Sequence, residues 1–295
     1  AAGSPLSLQA HPTTEQAEAG YARENAAGIP LDAPHRSYRD PFAKPEIIVA
    51  ITEFEALCGL RSVAQAQQLV RAVTAVDDRA EPLLARLDES MESAVAWLLS
   101  GDEAVAGVVA AVSAAITILS REDSGAADTV RRLTAHYPAD PGIVVGGLLL
   151  NRVTLAPDEA LFLPAGNLHA YLEGVGIELM GPSDNVMRAG LTQKHIDVDE
   201  LMSIADFSPL PEPRMTRGTI PGALRYSPDA PFELRLIHGE HAPGVAACGI
   251  LIAVEPTTVT LTDGVEQLAG GEAAYIDTAE GVSIASDSAW LALAQ

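Results

Sequence analysis

Cysteine is scarce. There are two, Cys58 and Cys248, far apart and both in apolar surroundings. That excludes a disulfide-stapled scaffold and suits a reducing, cytoplasmic setting with two buried, inert thiols. Basic residues are also few: 18 Lys+Arg against 40 Asp+Glu give a net charge of −22. A surface this acidic does not wrap nucleic acid, although a local basic pocket for one small phosphate remains open. Aromatic residues are only 4%, so the core has to be built from Ala, Val, Leu and Ile. Long apolar runs are missing. The longest uncharged run, 104–120, is interrupted by Gly107, Ser113 and Thr117 and reads as a buried or amphipathic helix rather than a membrane span. The opening residues carry neither a basic start nor an apolar stretch, so no signal peptide is expected.

What is present is a folded chain. Hydrophobic residues reach 48%, too many for disorder, and 295 residues suit about two domains. Residues 6–11 alternate like a strand. Thr13 and Gln16 then form a capping-box pattern that predicts a helix over 14–27, with Gly28 and Pro30 ending it. Residues 31–46 read as a loop. Ile47 to Ile51 predicts a buried strand, and residues 55–60 are expected to continue its sheet. Over 62–137 apolar residues recur at helical spacing (Leu69, Val70, Val73; Leu83, Leu84, Leu87), predicting several packed helices. Strand patterns return at 161–164 and 175–180. A short helix is expected over 201–207, a proline-rich linker at 209–213, and strands and turns to the end. Residues 158–164 are echoed by 271–277. The first copy runs on to His169, where the second has Val282, the pattern of two related β-domains of which one carries a ligand.

Four separated side chains suggest a metal. Gln9 and His11 lie two apart on a strand and so share a face. Pro164-Ala165-Gly166-Asn167-Leu168-His169 places a glycine turn before a strand that begins with histidine. Glu46, at the head of an apolar strand, adds a carboxylate. Two nitrogens and two oxygens suit one Zn²⁺ and leave room for water or substrate.

The same segments occur in order with Lys44-Pro45-Glu46 and with 183–192 (Ser-Asp-Asn-Val-Met-Arg-Ala-Gly-Leu-Thr). Together they closely resemble type I phosphomannose isomerases, a cupin family, over nearly the whole chain. The resemblance implies a mainly β fold with a helical insertion: a double cupin of two jelly-roll-like β-barrels plus an α-helical domain. The metal-binding cupin would span 1–60 and 143–208, the helical insertion 61–142 and a metal-free cupin 209–295. Residue by residue, it implies Gln9, His11, Glu46 and His169 as ligands of one zinc ion and Arg188 in catalysis. It sets Ser7, Lys44 and Lys194 near a substrate phosphate. Glu178 and Asp184 match acidic positions, and a carboxylate there is the expected base, Glu178 first. Tyr171, two residues after His169, faces the same side of its strand and would line the pocket. Where many relatives have histidine before the Lys44 position, this chain has Ala43.

The implied activity is interconversion of mannose 6-phosphate and fructose 6-phosphate through an enediolate, in the metabolism that feeds GDP-mannose biosynthesis. The expected partner is a small sugar phosphate, with no nucleic acid and no membrane, on a cytoplasmic monomer. Family members carry strands upstream of Gln9, and this chain starts almost at that motif. The alternatives are therefore a shortened paralogue that holds sugar phosphate without turnover, or another metal-dependent cupin enzyme.

Overall fold

The computed structural model describes residues 1–210, 213–244, 248–277 and 281–295. Positions 211 and 212 of the expected linker lie outside the described residues. The chain forms two compact units, Ala1–Asp158 with Leu163–Pro213, and Glu159–Phe162 with Arg214–Gln295.

The first unit begins with β1 (Leu8–Ala10) and α1 (Thr14–Ala26). The Thr13–Gln16 capping box forms as expected: each side chain accepts a backbone N–H at the open helix end, at 3.2 and 2.9 Å. Gly28 takes a positive φ of 70° just past the last turn. β2 (Glu46–Ala50) and β3 (Phe54–Leu60) follow, and both are almost wholly buried. β3 does not continue the β2 sheet. It leaves at residues 51–53 and joins a second sheet, while β2 pairs antiparallel with β7 (Gly176–Met180). Residues 51 and 52 form a bend between the two apolar runs, and runs this short do not encode their partners.

Helices α2 (Val63–Thr74), α3 (Glu81–Glu89), α4 (Met91–Leu99), α5 (Glu103–Ala114), α6 (Ile116–Glu122), α7 (Ser124–His136) and α8 (Gly142–Val144) follow. Leu69, Val70, Val73, Leu83 and Leu87 are buried, and Leu84 packs half-buried against them. The long uncharged run breaks at Ala115 into α5 and α6, and among the described residues no single helix is long and apolar enough to cross a membrane. The same continuous core takes in Leu8, Leu57, Ala170 and Met187 from the strands that carry the site. That couples the helical layer to the sheet it supports.

After β4 (Leu150–Leu155) and β5 (Ala160–Leu163) come β6 (His169–Glu173), β7, β8 (Met187–Gly190) and α9 (Val198–Ile204). β4, β3, β6, β1 and β8 form one five-stranded sheet in that order. The second unit is nearly all strand: β9 (Arg214–Met215), β10 (Gly218–Ile220), β11 (Ala223–Tyr226), β12 (Phe232–His241), β13 (Gly249–Ala253), β14 (Thr257–Thr260), β15 (Val265–Leu268), β16 (Ala273–Ile276) and β17 (Ser283–Ala294). Its own core includes Ile237, Leu251, Ile284 and Leu291. The mainly β architecture with a helical block matches the expected fold class.

The thiols differ. Cys58 is fully buried beside Asn167, and burial pushes it up to about 12. Cys248 is only half-buried, against the expectation that both are buried. At neutral pH a thiol reagent should therefore leave Cys58 unmodified until the chain unfolds, because the thiolate is the reactive form. Peptide mapping that found Cys58 labelled in native protein would contradict the packing.

Candidate metal centre

The sheet register assembles the site. On β1, which lies between β6 and β8, Gln9 is the Cα partner of His169 on one side and of Arg188 on the other. Cys58 in turn faces His169. Residues directly opposite one another project from the same face, so Cys58, His169, Gln9 and Arg188 form a row across four strands. β2 delivers Glu46 to that face from the other sheet.

His11, Glu46 and His169 converge with their ligand atoms all within 4.8 Å of one another. All three are buried, at 2%, 1% and 1% exposure. Both imidazoles are oriented from behind. His11 Nδ1 donates to the Asn185 carbonyl at 2.8 Å, and His169 Nδ1 donates to the Asn167 carbonyl at 2.9 Å. Each ring therefore turns a lone pair at Nε2 toward Glu46, with 3.3 Å from His11 to Oε1 and 3.3 Å from His169 to Oε2. Gln9 adds its amide 3.4 Å from His169 Nε2, and a half-turn of that amide presents its oxygen instead.

This arrangement fits a cation. Neutral Nε2 atoms and carboxylate oxygens are all acceptors, and they face one another in a buried space. His11 Nε2 and Glu46 Oε2 have no hydrogen-bond partner among the described residues. Burial pushes the His11 pKa down, which favours the neutral ring a metal needs. Burial pushes Glu46 up, but His11 and His169 outweigh it and hold its carboxyl well below the usual range. Lys44 adds positive charge, its Nζ 3.0 Å from Glu46 Oε1. Two nitrogens and one or two oxygens with no sulfur is a set that zinc accepts.

Loop geometry holds the ligands in place. The turn before His169 has Gly166 at φ 76°. Its N–H donates to the His11 carbonyl at 2.8 Å, and its own carbonyl accepts from the Asp206 N–H at 2.9 Å. A Cβ at Gly166 would sit 2.9 Å from the Ile204 carbonyl oxygen. Gly166→Ala should therefore lower stability by about 2 kcal/mol, from left-handed strain plus the contact, in denaturant melts. An unchanged midpoint would show that the turn relaxes freely. Asn185 is fully buried. Its Oδ1 accepts from the Arg39 N–H at 2.7 Å and its Nδ2 donates to the Asp40 and Phe42 carbonyls at 2.8 and 3.0 Å. The loop leading to Glu46 is thus clamped to the residue that orients His11.

The other expected residues fall in two groups. Tyr171, on β6, donates its hydroxyl to Glu178 on β7 at 2.8 Å. Tyr171 is buried, and burial followed by the Glu178 and Glu46 charges raises its pKa well above the ordinary value. Glu178 keeps access to solvent. Its pKa is nonetheless raised, first by desolvation of the carboxyl against its neighbours and then by the Glu46 charge, while Tyr171 pulls it back. Arg188, Lys194 and Asp184 line a cavity of about 660 Å³ together with Arg39 and His195. The metal cluster is not in that lining, and Arg188 is its link to Gln9. Burial, then the charge of Arg39, lower the Arg188 pKa. Arg188 Nε is buried without a partner among the described residues. Ser7 is half-buried two residues before Gln9.

Asn167, Asn185 and Arg39 were not singled out from the sequence. The first two act on the histidines through backbone carbonyls, which any residue type carries, so only the register could reveal them. Arg39 stands in a stretch that reads as ordinary loop.

A buried cluster of histidine and carboxylate donors, oriented by carbonyls and adjoining a row that ends in a half-buried arginine, defines a metal-dependent enzyme on a β-sheet scaffold. Comparison with known proteins narrows this. A family model described as phosphomannose isomerase type I, catalytic domain, matches residues 1–63. Mannose-6-phosphate isomerase of Salmonella typhimurium is 37% identical over 303 residues, covering 99% of this chain and 76% of that one. The Escherichia coli enzyme is 38% identical, covering 93% and 72%. Among solved structures, a point mutant of the Salmonella phosphomannose isomerase superposes with TM-score 0.90 at 34% identity over 100% of this chain and 77% of that one. A zinc-bound mannose 6-phosphate isomerase superposes with TM-score 0.88 at 34% identity over the same shares. The chain belongs to the mannose-6-phosphate isomerase family, and it is an isomerase.

Proposed function

We propose that the chain interconverts mannose 6-phosphate and fructose 6-phosphate with one zinc ion held by Gln9, His11, Glu46 and His169. The observation that carries this is the acceptor-lined cluster of His11, Glu46 and His169, with His169 joined through Gln9 to Arg188 in the sheet register. When bound, zinc supplies Lewis-acid polarisation of the substrate oxygens.

The chain's own residues do the rest. Glu178 takes the proton from C2 of the aldose and returns it to C1, and the hydroxyl proton moves from O2 to O1, so the exchange leaves a ketose with no atom gained or lost. Tyr171 positions the Glu178 carboxylate. Arg188 offsets the negative charge that develops on the enediolate oxygens. Its unpartnered Nε and the neighbouring Arg39 support a role beside an anion. Lys194, with Arg188 and Arg39, makes the cavity locally cationic in a chain of net charge −22, which suits a phosphate. Lys44 is drawn to Glu46 and Ser7 lies along the Gln9 strand, so both would meet the substrate on the metal side. Asp184 is the second choice for the base. Among the described residues neither it nor Glu178 forms an ion pair with Arg188, so neither serves merely to hold that arginine. The domain reading follows the same lines: a metal cupin over 1–60 and 143–208, a helical insertion over 61–142 and a metal-free cupin over 209–295. The setting is sugar metabolism in the cytoplasm leading to GDP-mannose, with the chain acting as a monomer.

A coupled assay with mannose 6-phosphate tests this directly. Turnover lost on chelation and restored by Zn²⁺ is expected. Sugar-phosphate binding with no turnover in the zinc-loaded protein would favour the shortened paralogue instead.

The pH profile follows from Glu178. A carboxylate base works when deprotonated, and its pKa is raised here. The acid limb of kcat/KM should therefore fall above the ordinary carboxylate value of about 4.3. Tyr171→Phe removes a donor that holds the pKa down, so the limb should move further up. A limb that stays put in Tyr171→Phe would take Glu178 out of the base role.

A further inference from the structure

The second unit contains a charge arrangement that the isomerase reaction does not use. Arg225 on β11 and Arg235 on β12 are direct Cα partners in the antiparallel register. Like charges set opposite each other on adjacent strands repel. Here they are held by Glu233, two residues before Arg235 and so on the same face, with only 2% of its surface exposed. Arg225 Nε donates to Glu233 Oε2 at 2.5 Å and Arg235 Nε donates to Oε1 at 2.6 Å. Ser227 and Gln295 donate to the same carboxylate, at 2.8 and 3.3 Å.

His241, 4% exposed, completes the frame. Its Nδ1 donates to the Pro221 carbonyl at 2.8 Å, so its Nε2 accepts from an Arg235 terminal nitrogen at 3.0 Å. That same Arg235 nitrogen donates to the Pro243 carbonyl at 3.1 Å. His241 is therefore neutral, and the group Arg225, Arg235, Glu233 and His241 carries a net charge of one positive unit. Both arginines are fixed along their Nε edges, with terminal N–H groups of Arg225 and one of Arg235 left over among the described residues. Arg225, Arg235 and His241 line a cavity of about 570 Å³ in this unit, with Ser283 and Glu240 on its wall. Glu240 is exposed, whereas Glu233 and His241 are buried.

We propose that this cavity is a binding site for a small oxyanion, a phosphoryl or carboxylate group, gripped by the leftover guanidinium donors of Arg225 and Arg235. Ion clusters built around a buried carboxylate often add little stability over apolar packing. The free terminal edge of Arg225, with the one remaining terminal nitrogen of Arg235 beside it, is by contrast an arrangement that suits a planar or tetrahedral oxyanion: Arg225 offers two parallel hydrogen bonds and Arg235 a further donor. Glu240 on the wall balances the remaining positive charge, so the grip comes from the directed N–H donors of the two arginines rather than from net charge. The proposal is independent of the reading of the metal centre.

The test is a ¹⁵N-resolved titration of the full zinc-loaded chain with inorganic phosphate and, separately, with acetate, at ionic strength held constant with chloride. The Arg225 and Arg235 Nε–H signals report this site, and the Arg188 signal reports the other. Saturable shifts at Arg225 and Arg235 are expected. Response to phosphate alone marks a phosphoryl ligand, and response to acetate marks a carboxylate. Arg225→Gln should weaken the binding read at Arg235 about tenfold or more while kcat and KM for mannose 6-phosphate stay unchanged. Should that variant not fold, Arg225→Lys keeps the charge, loses the fork and should weaken binding in the same direction. Absence of a saturable shift with either anion, or equal affinity in wild type and folded variant, overturns the proposal.

Discussion

Arg188→Ala should keep its zinc and lose most of its turnover. Arg188 reaches the site from β8, opposite Gln9, and is not one of the three clustered ligands. Metal content should therefore match the wild type. Removing one pre-set donor from a developing oxyanion typically lowers kcat by about 10²–10³. The loss should appear mainly in kcat, with a smaller rise in KM from the lost cation in the cavity. Arg188→Lys should recover little, because a lysine ammonium cannot reproduce the planar fork. Equal kcat in wild type and Arg188→Ala would take Arg188 out of the mechanism.

His169→Ala should lose zinc itself. His169 contributes one of the two clustered ring nitrogens and lies between Gln9 and Cys58 in the row. Changes to groups that merely orient a ligand already weaken metal binding about 10–100-fold, so loss of a ligand should exceed that. Dialysis against a mild chelator should strip the variant while the wild type keeps one ion, and turnover should fall to background. His169 is not itself part of the apolar core that joins the helices to the sheet, so far-UV circular dichroism should stay near wild type. Full zinc retention by a folded His169→Ala chain would contradict the ligand assignment.

How much of this was legible beforehand follows from the range of each interaction. The α1 cap is written in two residues three apart, so sequence shows it directly. The equivalent Ser62–Gln65 box that starts α2 carries the same signal at the same spacing. The four proposed ligands stood out because residue type and a glycine turn announce them, and the structure brings His11, Glu46 and His169 together with Gln9 alongside. β3 went to an unexpected sheet because an apolar run does not encode its partner. The hidden parts of the site are those built from backbone. The Asn167 and Asn185 carbonyls aim the two histidines, and no side-chain pattern advertises a carbonyl. The Tyr171–Glu178 hydrogen bond depends on which strands of two sheets approach, and that is set only once the chain is packed.

Zinc K-edge absorption on the purified chain, with metal stoichiometry measured on the same sample, tests the central claim most directly. The account predicts one zinc per chain with a shell of nitrogen and oxygen only, at about 2.0–2.2 Å, including two imidazoles. A sulfur shell at about 2.3 Å, or protein that takes up no stoichiometric zinc, would contradict it.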